Sequence, residues 1–171
     1  MSLYQTSVAF PVMISAAPTS GVAQVESTPI VGTITQAGTA TFTITAANLT
    51  GSPLAVDVDV ALNDTPTLVA AKAAAKLNTV AAISAVFVAS SVTDTLKLTA
   101  VQSLANDATL NIAYTNGTCT GLTPDASSDN TTSGVLADFR GIEKGAFLVD
   151  TTNKKCYQNT GTPNVPTWTL L

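Results

Sequence analysis

Asp57 and Asp59 are two carboxylates two residues apart within the alternating run Leu54-Ala55-Val56-Asp57-Val58-Asp59-Val60. That spacing puts both on one face of a strand, because side chains alternate across the pleat. Paired carboxylates can run glycoside hydrolysis when an apolar pocket and a fixed separation tune their pKa values. Here the alternation aims both at solvent and the aliphatics inward, so a solvated strand face is expected. No DxDxDG loop accompanies them for calcium. The chain has no histidine, which removes the Ser-His-Asp and Cys-His arrangements. Cys119 sits among threonines and glycines with no basic neighbour to hold a thiolate, and Cys156 stands outside any CxxC pair. Both are expected to be reduced structural thiols, with pairing open only if the fold brings them together. No GxxxxGK[ST] or GxGxxG phosphate cradle is present. Catalytic, cofactor-binding and metal-ligating residues are therefore all expected to be none, and the protein is expected not to be an enzyme. Trp168 and Tyr157 are the candidates for stacking on a glycan, although a lone tryptophan in a small sheet also serves as its core. The triplets at Asn48, Asn63, Asn116 and Asn130 fit the N-x-T pattern and carry meaning only on a secretory route.

The composition points away from nucleic acid and membrane. Of 171 residues only 11% are charged, the net charge is −4, and the first basic residue is Lys72. An acidic chain gains nothing from a phosphate backbone. No run approaches the roughly 18 apolar residues of a membrane span. Met1 to Ala17 has no positive n-region and is interrupted by Pro11, so no secretory signal is expected and synthesis in a cytoplasm is. Mean hydropathy is +0.34. Depleted charge with this hydropathy suits a chain whose surface is covered by neighbouring subunits, since interface cores lose charged residues.

The elements follow from period and punctuation. Residues 1–31 hold scattered apolar side chains (Leu3, Tyr4, Val8, Phe10, Met13, Ile14) broken by Pro11, Pro18, Gly21 and Pro29, with Glu26 the one charge. A charge-free apolar segment of this kind is expected to be an extended N-terminal arm that lies on a surface, and these six residues are the candidate assembly contacts. Residues 32–133 are expected to form an α+β module in the order β-β-α-β-β-β. Thr39–Thr45 and Leu54–Val60 alternate with period two. Asp64 or Thr65 can cap a helix that Pro66 begins. That helix carries Lys72 and Lys76 on one sector, has Leu68, Ala71, Ala74 and Ala75 around the rest, and ends near Asn78. Strands resume near 85–89, 96–100 and 110–114. After the polar stretch PDASSDNTTS, residues 134–171 are expected to form a small three-stranded β piece: Gly145–Asp150, Cys156–Asn159 and Thr167–Leu171. The fold class is α+β and β-dominated, a mainly antiparallel sheet with one helix packed on it.

Two segments resemble proteins of tailed bacteriophages. GTATFTITAANLTGSPLAVDVDVALNDTPTLVAAKAAAKLN, continued by ANDATLNIAYTNGTCTGLT, resembles a module of phage structural proteins, including tail proteins. GAFLVDTTNKKCYQNTGTPNVPTWTLL resembles short β repeats of phage fibre and head-decoration proteins. The resemblance implies a structural virion component without fixing its place on the particle; the first expectation is a capsid decoration (cement) or head-fibre protein on the outer surface. It implies a homotrimer whose partners are itself and the major capsid protein or another virion protein, with no cofactor. A tail component (tube, sheath or baseplate accessory) is the alternative, and a carbohydrate-binding adhesion module is the second.

Overall fold

The computed structural model describes residues 11–171. In chain order the elements are β1 (Val12–Ile14), β2 (Val25–Pro29), β3 (Gly32–Gln36), β4 (Gly38–Thr45), β5 (Leu54–Val60), α1 (Pro66–Thr79), α2 (Ala81–Ser84), β6 (Phe87–Val92), β7 (Thr95–Ala100), β8 (Asn111–Thr115), β9 (Thr120–Leu122), β10 (Asp129–Thr132), β11 (Phe147–Asp150), β12 (Lys155–Asn159) and β13 (Trp168–Leu170). Strand takes 42% of residues and helix 11%, in mainly antiparallel sheets, so the β-dominated α+β class expected from the sequence holds. The chain divides into two units, Val22–Leu136 on one hand and the chain up to Gly21 with Ala137–Leu171 on the other.

In the larger unit the two alternating runs form the expected antiparallel pair. β4 lies between β5 and β8, with Phe42 opposite Val56 and Tyr114, and Ile44 opposite Leu54 and Ile112. Val56, Val58 and Val60 are buried while Asp57 and Asp59 are exposed, as period two requires. Phe42 stacks on Tyr114 with ring centroids 5.7 Å apart. The Tyr114 hydroxyl donates to the Pro29 carbonyl and accepts from the Val31 N–H, each at 3.1 Å, so the one polar atom of this buried ring is satisfied. A second sheet runs β10-β2-β7-β6, and β3 pairs with β9. That last pair approaches closely at Gly121, where φ is +113° and a Cβ would stand 2.1 Å from the Thr33 carbonyl oxygen.

Helix α1 begins as its sequence suggests. Thr65 is the N-cap, its hydroxyl accepting the Leu68 N–H, and Pro66 occupies the first turn. Asp64, the other capping candidate, instead accepts the Ala61 N–H and pairs with Lys72. The buried stripe is Val69, Ala70, Ala73, Ala74 and Leu77, packed against β5, β6 and β7. Leu68, Ala71 and Ala75, placed by the sequence in the apolar sector, are exposed instead. With alanine around most of the circumference, the large side chains Val69 and Leu77, eight residues apart, set the face.

The boundaries differ from those expected of a 31-residue arm. Residues 25–29 are β2, an interior strand between β10 and β7. No period marks it because Glu26, Ser27 and Thr28 are all buried, on both faces of the strand. Residues 12–14 are β1, which pairs in parallel with β11 and adds a fourth strand to the expected three, giving the order β1-β11-β12-β13.

In this smaller unit one face of the sheet holds Leu148, Tyr157 and Trp168, with Ile14 and Ile142 against them. Polar side chains tie the turns. Asn159 is fully buried; its Nδ2 donates to the Ile142 carbonyl at 2.9 Å, and its Oδ1 accepts the N–H groups of Gly161 and Thr167 at 3.0 and 3.1 Å. Asp150 accepts the N–H groups of Thr152 and Asn153, each at 3.0 Å, and the Asn153 side chain at 2.7 Å.

Candidate functional site

The residues with catalytic potential are scattered through the fold. Asp57 and Asp59 stand exposed on β5, and the Asp57 carboxylate accepts the Thr41 hydroxyl at 2.7 Å. Among the described residues no group of three or more cysteine, aspartate or glutamate side chains could hold a metal ion. Both cysteines are free thiols. Cys119 is buried, and its Sγ lies 2.7 Å from the Asn116 carbonyl oxygen. Burial pushes this thiol above its ordinary range, the direction opposite to a nucleophile.

The two rings singled out for glycan stacking lie in the core of the smaller unit. Tyr157 and Trp168 are each 8% exposed. The Trp168 indole N–H donates to the Asp138 carbonyl at 3.2 Å, and the ring meets Phe139 edge-on with centroids 6.2 Å apart. Neither offers a free face to a sugar.

Of the six arm contacts, Leu3, Tyr4, Val8 and Phe10 lie outside the described residues. Ile14 packs into the small core, whereas Met13 points the other way and is 63% exposed. Strand register explains what surrounds Met13: it stands beside Val149, which stands beside Cys156. Phe147, one pleat along on the same face, is 45% exposed. The sheet is therefore apolar on both sides, with a core on one and an open ladder of Met13, Val149, Cys156 and Phe147 on the other. A groove of about 440 Å3 is lined by Val149, Cys156 and Phe147 of this ladder together with Pro11, Val12 and Ile142. Nothing in the strand pattern marks Phe147 as a surface residue, since its segment fits either face. The turn Asp150–Lys154 was the available signal, because it fixes which residues of β11 and β12 pair.

One further site escaped the sequence entirely. Glu26, at the centre of β2, is 2% exposed. Its Oε1 lies 2.7 Å from the Ser128 hydroxyl, and its Oε2 has no hydrogen-bond partner. Burial does most to move this carboxyl, raising its pKa above the ordinary glutamate range; the Ser128 hydrogen bond opposes the rise, and the charges of Asp129 and Asp107 add to it. The clue was its isolation, as the single charged residue before Asp57.

No family model matches the chain, and no curated protein matches it in sequence.

Proposed function

We propose that this chain is a non-enzymatic structural protein of a tailed-phage virion, a capsid decoration or head-fibre protein. It associates with copies of itself as a homotrimer and attaches to the major capsid protein or another virion protein through its apolar N-terminal segment. The observation that carries this is the open apolar ladder of the small sheet, whose first strand continues directly from that segment. An exposed patch of Met, Phe and Val on a two-sided sheet is costly in water and marks a contact surface. The low charge of the whole chain and the phage-like cadence of both segments support the same assignment. Burial of both Trp168 and Tyr157 weighs against the glycan-binding alternative.

The test is the composition of particles produced by the genome that encodes this chain. Gradient-purified virions analysed by quantitative mass spectrometry should contain the chain in many copies, in fixed ratio to the major capsid protein. Its absence from such particles would overturn the assignment, and a fixed ratio to tail proteins instead would move it to the tail.

A further inference from the structure

The hydrogen bonds around Glu26 can be counted by protons. The Ser128 hydroxyl oxygen lies 2.7 Å from Glu26 Oε1, 2.9 Å from the Ile112 N–H nitrogen and 3.2 Å from Asn111 Oδ1. The Ile112 N–H can only donate. Asn111 Oδ1 can only accept, its Nδ2 being engaged with the Ala126 carbonyl at 3.0 Å. The hydroxyl itself has one proton and two lone pairs. Asn111 Oδ1 already accepts the Ser128 N–H at 2.9 Å. Two arrangements therefore fit these distances: an ionised Glu26 accepting the Ser128 proton, or a neutral Glu26 donating its own while the hydroxyl proton goes to Asn111. The burial of Oε2 without a partner selects the second. The carboxyl is then a neutral acid. Ionised, it would hold a buried charge with no donor at Oε2.

Among the described residues no cation offsets that charge. The charges that act on it are those of Asp129 on β10, which pairs with Ser27, and Asp107 on the loop before β8, both acidic. The neighbouring residue on β7 is Leu98, and Lys97 pairs with Ser27 on the other face of β2. From β8 the neighbours Asn111 and Ile112 are uncharged, and so is Gln24 just before β2, whose side chain opposes the rise more weakly than burial drives it.

The cover over Glu26 is weakly held. Asn130 of β10 pairs with Glu26, all four β10 residues are exposed, and the register slips between Asn130 and Thr132. Polar contacts take the place of buried side chains: Ser128 to Glu26, Asn130 Nδ2 to Asn106 Oδ1 at 2.8 Å, and the Thr131 hydroxyl to the Val25 carbonyl at 3.2 Å. A cleft of about 490 Å3 lined by Glu26, Asp107, Asn111, Ser128 and Asn130 gives water a route to this corner.

We infer that Glu26 is carried as an uncharged carboxylic acid whose proton latches Ser128 and β10 onto β2, so that ionisation releases residues 126–132. The proton leaves to water, and the carboxylate regains hydration once β10 lifts. The sign is fixed by linkage. In the open state Glu26 titrates as an ordinary glutamate, so closure is strongest below that range and weakens as pH rises toward the higher pKa of the closed state.

Hydrogen exchange of peptides spanning 123–133, with intrinsic rates divided out, reads this directly. Wild-type protection should fall about tenfold per pH unit across that window. Glu26→Gln, which keeps the shape and cannot ionise, should show flat protection. Parallel profiles for the two proteins would overturn the latch. If Glu26→Gln fails to fold, infrared spectra of the wild type decide alone. A protonated-carboxyl band should persist above the pH at which the exposed carboxyls ionise, and its loss together with theirs would overturn the inference.

Discussion

Asn78 gives both ends of its side-chain amide to the backbone of Ala89: Nδ2 donates to the carbonyl at 2.8 Å, and Oδ1 accepts the N–H at 2.9 Å. β6 is an edge strand, and Ala89 lies at its middle. The side chain that ends α1 thus occupies the place a further strand would take. Exposed edges invite pairing with another chain, and a plug of this kind blocks it. Asn78→Ala should lower stability by about 1–3 kcal/mol, the cost of leaving such groups unpaired. It should also raise concentration-dependent association through β6. Urea unfolding and sedimentation velocity check the two effects separately.

Asn159 is the corresponding tie in the smaller unit, holding four backbone groups, with the Glu143 carbonyl a longer fourth contact at 3.4 Å. Asn159→Ala leaves the Gly161 and Thr167 N–H groups and the Ile142 carbonyl without this partner. A loss of about 2–4 kcal/mol in the smaller unit is expected, seen as earlier melting of the Trp168 fluorescence.

Asp150 makes that unit acid-sensitive. Hydrogen bonds from the Asn153 side chain and backbone hold its carboxyl below the ordinary aspartate range. A carboxylate depressed in the folded state contributes stability that is full above the unfolded pKa and lost as pH falls through the folded one. The melting temperature of the smaller unit should therefore decline below about pH 4, and Asp150→Asn should remove much of that dependence. An unchanged acid profile in the variant would contradict the assignment of this charge.

Trp168 separates a core role from a binding role. Trp168→Ala removes the largest side chain of the small core and should destabilise that unit by about 3–5 kcal/mol. A protein that kept its full stability and lost only glycan affinity would restore the adhesion alternative. Thermal melts followed by near-ultraviolet circular dichroism, beside a glycan-array assay, distinguish the two.

How much of this was legible in the sequence depended on whether polarity tracked burial. β4 and β5 were read correctly because threonines and aspartates face out wherever aliphatics face in. The β11–β12–β13 order was likewise readable from the DTTN and TGTP turns. β2 was missed because Glu26, Ser27 and Thr28 are polar and buried, so alternation is erased. The exposed side of α1 was misjudged because alanine marks neither inside nor outside. β1 was hidden because three residues cannot show a period, and its partner lies more than 130 positions away. For the candidate surface, Met13 could be named as a contact, whereas Phe147 joined it only through strand register. Glu26 stood out by charge alone, and its partner Ser128 lies 102 positions away in the chain.

That geometry also sets how the assembly claim must be tested. A deletion of residues 1–20 would remove β1 and Ser20, whose hydroxyl accepts the Trp168 N–H at 2.9 Å. Such a deletion would confuse unfolding with loss of contact. Paired substitutions on the open ladder leave every tie in place. Multi-angle light scattering of the intact chain beside Met13→Asp/Phe147→Asp is the most direct measurement. The wild type should elute at three times the 17.3 kDa chain mass, and the folded variant should elute as a monomer. A wild type that stays monomeric at every concentration, or a variant that keeps the trimer, would contradict the claim that this face joins copies of the protein.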